Sequence, residues 1–186
     1  PKPDFETAAA IDLEYFGKCV DDLTSGREAQ LPIFDFNIEA RSGYRPHRLA
    51  ENEMIVFEGI QALYPEILSH IPKESMKTIY ISVSDDVMAY GRYFSARDIR
   101  FVRRLVRDYK FRSSSARRTI DLWTDVVANE EKSIIPASKN VDFIINSLML
   151  YEINVMKPYI LNTVRFDLQN PEELEVYKGF EDKYLN

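Results

Sequence analysis

A chain of 186 residues, 45% hydrophobic and 29% charged, has the size and composition of one globular domain with a sizeable core. No apolar run approaches the ~20 residues that cross a bilayer, the N-terminal stretch lacks the basic start and apolar run of a secretory signal, and a single cysteine excludes an internal disulfide. The net charge of −6 is uneven: Arg92 to Arg118 holds nine arginines and Lys110 against Asp98 and Asp108, a local +8 that leaves −14 elsewhere. A cytoplasmic protein that draws anions to one place fits this pattern; a general polyanion binder does not.

Along the chain, Asp4 to Thr24 is predicted helical, with Ile11, Tyr15, Phe16, Cys19, Val20 and Leu23 at helical spacing and Thr24-Ser25-Gly26 as the stop. Cys19 lies in this apolar stripe and reads as a packed thiol. Leu31 to Phe36 is strand-like, and a second extended segment through Tyr44 to Leu49 makes a projecting hairpin over residues 30–50. Three short apolar runs, Met54 to Phe57, Thr78 to Val83 and Val141 to Ile145, are separated by helical stretches. They predict strands buried on both faces of a parallel α/β sheet. Helical periodicity returns over Asp98 to Phe111, Thr119 to Ser133, Ser147 to Leu161 and Pro171 to Leu185. Pro171-Glu172-Glu173 is a good helix opening, with proline in the first turn and acids at the positive end of the dipole. Asn162 to Asn170 is the weakest stretch in the unity of the domain. Three strands are few for such a fold, and the first element is a helix, so a missing N-terminal portion is expected.

Glu58 ends the run Met54-Ile55-Val56-Phe57, at the sheet edge where open α/β folds bind ligands. A carboxylate there can hold Mg²⁺ beside nucleotide phosphates, or simply cap the next helix; spacing alone leaves both open. Arg100, Arg103, Arg104 and Arg107 fall within about a quarter of a helical turn, opposite Ile99, Val102, Leu105, Val106 and Tyr109. Four arginines and no lysine favour planar, bidentate phosphate recognition over a merely solvated face. Nucleic acid is the rival ligand, and no nucleic-acid module accompanies the patch. Phe34 and Phe36 alternate with polar residues and either pack inward or stack on a flat base. His47 and His70 have no ligand-spaced partners and read as surface or loop residues without a metal site.

In this order and spacing the phrases resemble the uridine kinase and phosphoribulokinase branch of P-loop kinases, from about Asp4 to Tyr159. The anchors are Asp4-Phe5-Glu6 with Ala10-Ile11-Asp12, Pro32-Ile33-Phe34-Asp35-Phe36, Phe57-Glu58-Gly59-Ile60, the arginine helix, and Pro136 with Val141 to Ile145. The resemblance implies a single, partial kinase domain over residues 1–186. Its parallel sheet is flanked by helices, with an acceptor hairpin at 30–50, an arginine-rich lid at 92–118 and a helical extension at 163–186. It further implies ATP and Mg²⁺ as cofactors and phosphoryl transfer to the 5′-hydroxyl of a nucleoside or similar alcohol.

By the same resemblance Glu58 would lie beside Mg²⁺, directly or through water. Arg104 would reach the acceptor, and Arg103, Arg107 and Arg112 would hold ATP phosphates. Phe34 and Glu39 would cover the base, Glu6 (or Asp4) would bind ribose hydroxyls, and Asp121 aligns near a base-contacting glutamine. The departures lie in the base pocket and lid. Phe34 stands for a tyrosine, Glu39 for a histidine and Ser114 for a lid arginine, so uridine or cytidine is in doubt as acceptor. An oligomer of like chains is compatible with the sequence.

No G-x-x-x-x-G-K-[ST] string occurs in the 186 residues. The family's first strand, phosphate loop and general-base aspartate are expected upstream, leaving this chain inactive alone and in need of that segment to complete its sheet. Two alternatives remain: a P-loop-less anion-binding or regulatory module, and a kinase for a non-nucleoside alcohol of the sugar phosphate or pantothenate type.

Overall fold

A computed structural model describes residues 7–35, 38 and 40–185. In chain order the elements are helix α1 (Leu13–Thr24), strands β1 (Ala29–Asp35) and β2 (Ala40–His47), and the short helix α2 (Pro65–Leu68). Strands β3 (Ile79–Ser82), β4 (Val87–Ala89) and β5 (Arg92–Phe94) follow, then helices α3 (Ala96–Arg112), α4 (Ala116–Asn129) and α5 (Ile135–Ser138). Strand β6 (Phe143–Asn146) and helices α6 (Glu152–Pro158) and α7 (Pro171–Leu185) complete the chain. Two compact units result, one from the described residues up to Thr78 with Lys132–Asp142, the other from Ile79–Glu131 with the residues from Phe143 onward.

In the first unit the opening helix is shorter than its periodicity suggests. A 3₁₀ turn covers Ala8–Ala10, and α1 starts only at Leu13, because Asp12 acts as N-cap and accepts the Tyr15 N–H at 3.1 Å. That hydrogen bond, then the Arg41 guanidinium, holds the Asp12 carboxyl below its ordinary value. Cys19 and Leu23 on α1 are buried with Ala29 of β1, and burial raises the Cys19 thiol. The predicted hairpin forms: β1 and β2 pair antiparallel, with an irregularity between Ile33 and Phe34. Arg41 fixes it to α1 through a 3.1 Å ion pair with Asp12 and a position 4.9 Å from the Tyr15 ring centroid.

Met54 to Phe57 is not a buried strand. The segment is irregular, and Met54 and Val56 are 84% and 77% exposed. Strand pairing needs a neighbouring ladder, and no strand among the described residues supplies one.

Asp142 closes this unit. One carboxylate oxygen accepts from the Thr78 backbone N–H and hydroxyl, both at 2.9 Å, and the other pairs with Lys77 Nζ at 2.9 Å. The Thr78 N–H, then Lys77 and the Thr78 hydroxyl, hold the carboxyl down at about 2 from an ordinary 3.8. A depressed carboxyl contributes stability above its unfolded value and loses it as pH falls through its folded value. Urea midpoints are therefore expected to fall between pH 4 and 2, and Asp142→Asn should remove part of that slope. An unchanged slope in the variant would assign the acid sensitivity to other groups.

The second unit contains the one parallel pair among the described strands, β3 with β6, in the register Ile79↔Phe143 to Ser82↔Asn146. Burial on both faces does not hold: Ile81 and Ile144 are 60% and 65% exposed. Tyr90 and Gly91, both with positive φ, make the two-residue turn between β4 and β5. Helix α3 opens with a full capping box, Ser95 with Asp98, and ends at Ser113 in the left-handed region. Its apolar face packs as predicted: Ile99, Val102 and Leu105 are buried with Phe94, Ile153, Met156, Ile160, Phe180 and Tyr184.

The predicted helix over Ser147 to Leu161 begins late, at Glu152, where the Glu152 carboxylate accepts the Met149 N–H at 3.0 Å. It passes into a π turn, Tyr159–Thr163, just after Pro158, whose missing N–H breaks the i→i−4 ladder. Helix α4 likewise ends in a π turn, Glu130–Ile134. After the loop that follows Val164, Asn170 accepts the Glu172 N–H at 3.0 Å and starts α7, which packs into this core through Phe180 and Tyr184.

Candidate functional site

The four arginines singled out on α3 meet different fates. Arg100 pairs with the buried Glu130. Arg103 turns inward: Nε and Nη2 form a fork on the Glu152 carboxylate at 2.5 and 2.8 Å, while Nη1 and Nη2 reach the Ser147 hydroxyl and carbonyl at 3.0 and 2.6 Å. Nearly all its donors are spent within the protein, as in a positioned structural fork.

Arg104 and Arg107 converge instead on Asp108, and Arg112 joins them from the last turn. Arg107 Nε and Nη2 both donate to Asp108 Oδ1, at 3.0 and 2.9 Å. Arg104 Nε lies 3.4 Å from Oδ2, and Arg112 Nη1 lies 3.5 Å from Oδ1. The Asp108 side chain is 6% exposed, while those of Arg107 and Arg112 are 46% and 59% exposed. A buried carboxylate thus gathers three guanidiniums, two of them with outer donors facing solvent, and one negative charge against three positive leaves the group an attractor of anions.

The backbone of Asp108 completes the arrangement. Its carbonyl accepts the N–H groups of Ser113 and Ser114, closing α3 where Ser113 turns left-handed. Arg112 therefore stays in the last helical turn, within reach of the carboxylate. The sequence reading missed Asp108, counting it only as one of two acids in a basic stretch. The signal was present: Arg104 and Arg112 stand four residues before and after it, the spacing at which helical side chains meet.

The remaining candidates are dispersed. Asp121 on α4 pairs with Arg117 at 2.9 Å, which also reaches Glu172 at 2.9 Å. In the first unit, Phe34 is 48% exposed on β1 and pairs in register with Arg41. Glu58 is exposed on the irregular segment after Phe57. Glu6 and Glu39 lie outside the described residues. His47 Nε2 is 3.8 Å from Glu53, and His70 packs against Phe16 and Gly17. No group of three or more His, Cys, Asp or Glu gathers as a metal cage among the described residues, and no helix there is long and apolar enough to cross a membrane.

Residues 2–154 match the family described as "Phosphoribulokinase / Uridine kinase family". The chain is 28% identical over 169 residues to a uridine kinase of Streptococcus equi subsp. zooepidemicus, covering 91% of this chain and 69% of that protein. It is 29% identical over 146 residues to a uridine kinase of Saccharomyces cerevisiae, covering 78% of this chain and 26% of the yeast protein. A uridine kinase of Streptococcus pyogenes serotype M5 is 28% identical over 138 residues, 74% of this chain and 59% of that protein.

Proposed function

Because this chain belongs to the phosphoribulokinase / uridine kinase family, we propose that it is the acceptor- and lid-bearing portion of an ATP-dependent kinase. The reaction is transfer of the γ-phosphoryl group to the 5′-hydroxyl of a nucleoside or a similar alcohol. The observation that carries this reading is the convergence of Arg104, Arg107 and Arg112 on one buried carboxylate, with Arg107 and Arg112 open to solvent.

In this reading Arg107 and Arg112 hold the transferring phosphates and Arg104 reaches toward the acceptor. Their charge is felt most as the bond to the leaving ADP breaks and negative charge builds on its oxygens. Arg103, whose donors go to Glu152 and Ser147, is assigned in this reading to supporting the helix, in place of the ATP-phosphate role the resemblance implied for it. Glu58 offers the hard oxygen donors that Mg²⁺ takes, and one carboxylate is enough, since Mg²⁺ at nucleotide sites completes its shell with phosphates and water. Glu58 would hold the ion, which would supply neutralisation of the charge developing at the phosphates. The family resemblance assigns Phe34 and Glu39 to the base and Glu6 to the ribose, and a phenylalanine at position 34 in place of the family's tyrosine argues against uridine as preferred acceptor.

The reading also assigns the phosphate loop and first strand to polypeptide outside these 186 residues, since no G-x-x-x-x-G-K-[ST] string occurs within them. Within the second unit, the exposure of Ile81 and Ile144 on opposite faces of the β3–β6 pair supports a sheet left without full apolar cover.

The test is calorimetry and ³¹P NMR on this chain with Mg-ATP and a nucleoside panel. ATP affinity no tighter than about 1 mM is expected, with no turnover, as for a site left with side-chain contacts. Submicromolar ATP binding or product formation would refute the incomplete-site reading. Uridine as best acceptor of an active form would refute the altered pocket.

A further inference from the structure

We propose that Asp108 is a positioning residue: an internal counter-anion that holds Arg104, Arg107 and Arg112 together as an anion receptor and at the same time limits its affinity. The inference rests on the phosphate-binding reading of this arginine group and specifies which residue sets its strength.

The geometry supplies the argument. Three long, flexible cations would spread apart by mutual repulsion and side-chain entropy if nothing lay between them. Asp108 prevents this from a buried position, with Arg107 on Oδ1 at 3.0 and 2.9 Å, Arg112 at 3.5 Å from the same oxygen and Arg104 at 3.4 Å from Oδ2. The buried carboxylate is itself held on a rigid backbone, because its residue's carbonyl caps the end of α3 through Ser113 and Ser114.

Organisation comes with competition. Arg107 points two of its donors at Asp108, so an incoming phosphate finds that fork partly engaged, and it also feels the repulsion of a fixed negative charge nearby. Removing the charge while keeping the side-chain size should therefore tighten anion binding, whereas a residue that served only to hold the helix together would weaken it when changed. The sign of the effect separates the two roles.

The experiment titrates inorganic tripolyphosphate into the full chain, following arginine side-chain and backbone amide resonances, in the parent, Asp108→Asn and Asp108→Glu. At low ionic strength, about 0.01 M where the screening length is ~30 Å, Asp108→Asn is expected to bind roughly tenfold tighter than the parent. That gain should shrink as salt is raised. Asp108→Glu, which keeps the charge, should stay within about twofold of the parent. Equal or weaker binding by a folded Asp108→Asn chain overturns the inference and leaves the phosphate reading standing. A parent chain whose Arg107 and Arg112 resonances do not respond to tripolyphosphate overturns the phosphate reading and the inference with it.

If Asp108→Asn does not fold, the parent alone decides the matter. The Arg107 Nε–H, assigned by its loss in Arg107→Lys, is expected to exchange slowly without ligand and to shift when tripolyphosphate is added. Fast exchange in the ligand-free chain would show that Asp108 does not hold the fork.

Discussion

Arg103→Ala is expected to destabilise the second unit by about 2–4 kcal/mol, while Arg107→Ala, four residues along the same helix face, changes stability by less than about 1 kcal/mol. Breaking a buried ion pair by deleting one partner commonly costs ~3–5 kcal/mol, and a lower figure is expected here because the Arg103 side chain is 33% exposed. The cost arises because Glu152, 11% exposed, would lose both guanidinium donors and keep the Met149 N–H, and the Ser147 carbonyl would lose its 2.6 Å donor. Arg107 leaves no such residue behind, since Arg104 and Arg112 still face Asp108. For tripolyphosphate the order should reverse, with Arg107→Ala weakening binding by about tenfold through the loss of a charge-assisted contact. Urea unfolding followed by far-UV circular dichroism and the same titration check both halves. Equal loss of stability in the two variants would make Arg107 a structural residue and remove the basis of the phosphate reading.

That contrast marks where sequence reasoning stops. Helical periodicity places Arg103, Arg104 and Arg107 on one face, and the structure agrees that they oppose Ile99, Val102 and Leu105. Periodicity says nothing about partners contributed by distant segments, and Glu152 lies 49 residues from Arg103. The Asp108 contacts are local; those to Arg104 and Arg112 were legible as i±4 spacing, a signal that a count of net charge conceals, whereas that to the adjacent Arg107 was not. Strands were read less well than helices for a similar reason. Hairpin β1–β2 carries its pairing in adjacent sequence, so its two extended segments were legible, although β2 begins at Ala40 and takes in Gly43, which the sequence reading places before the second strand. The run at Met54 to Phe57 has the composition of a buried strand, yet composition cannot supply a neighbour, and without one the segment stays irregular and exposed. Its acid, Glu58, was legible only as a type of residue at the end of an apolar run.

Leu105→Ala is expected to cost about 3–4 kcal/mol, within the range for a leucine deleted from a closed core. Leu105 is fully buried on α3, immediately after Arg104 and two residues before Arg107, among Phe94, Ile153, Met156 and Ile160. A cavity there loosens the helix from beneath, so the effect should reach the arginines without touching them. Hydrogen exchange is expected to accelerate along α3 first, and tripolyphosphate affinity should fall with it, because the receptor depends on three side chains held in register by one rigid helix. Leu122→Ala on α4, where the side chain is 41% exposed, serves as the control and should change stability by no more than about 0.5 kcal/mol. If Leu105→Ala loses stability but keeps its anion affinity, the arginine group is organised by Asp108 alone, independently of the core under it. If both fall together, the apolar face and the basic face of α3 form one functional device, with packing on one side fixing the geometry of charge on the other.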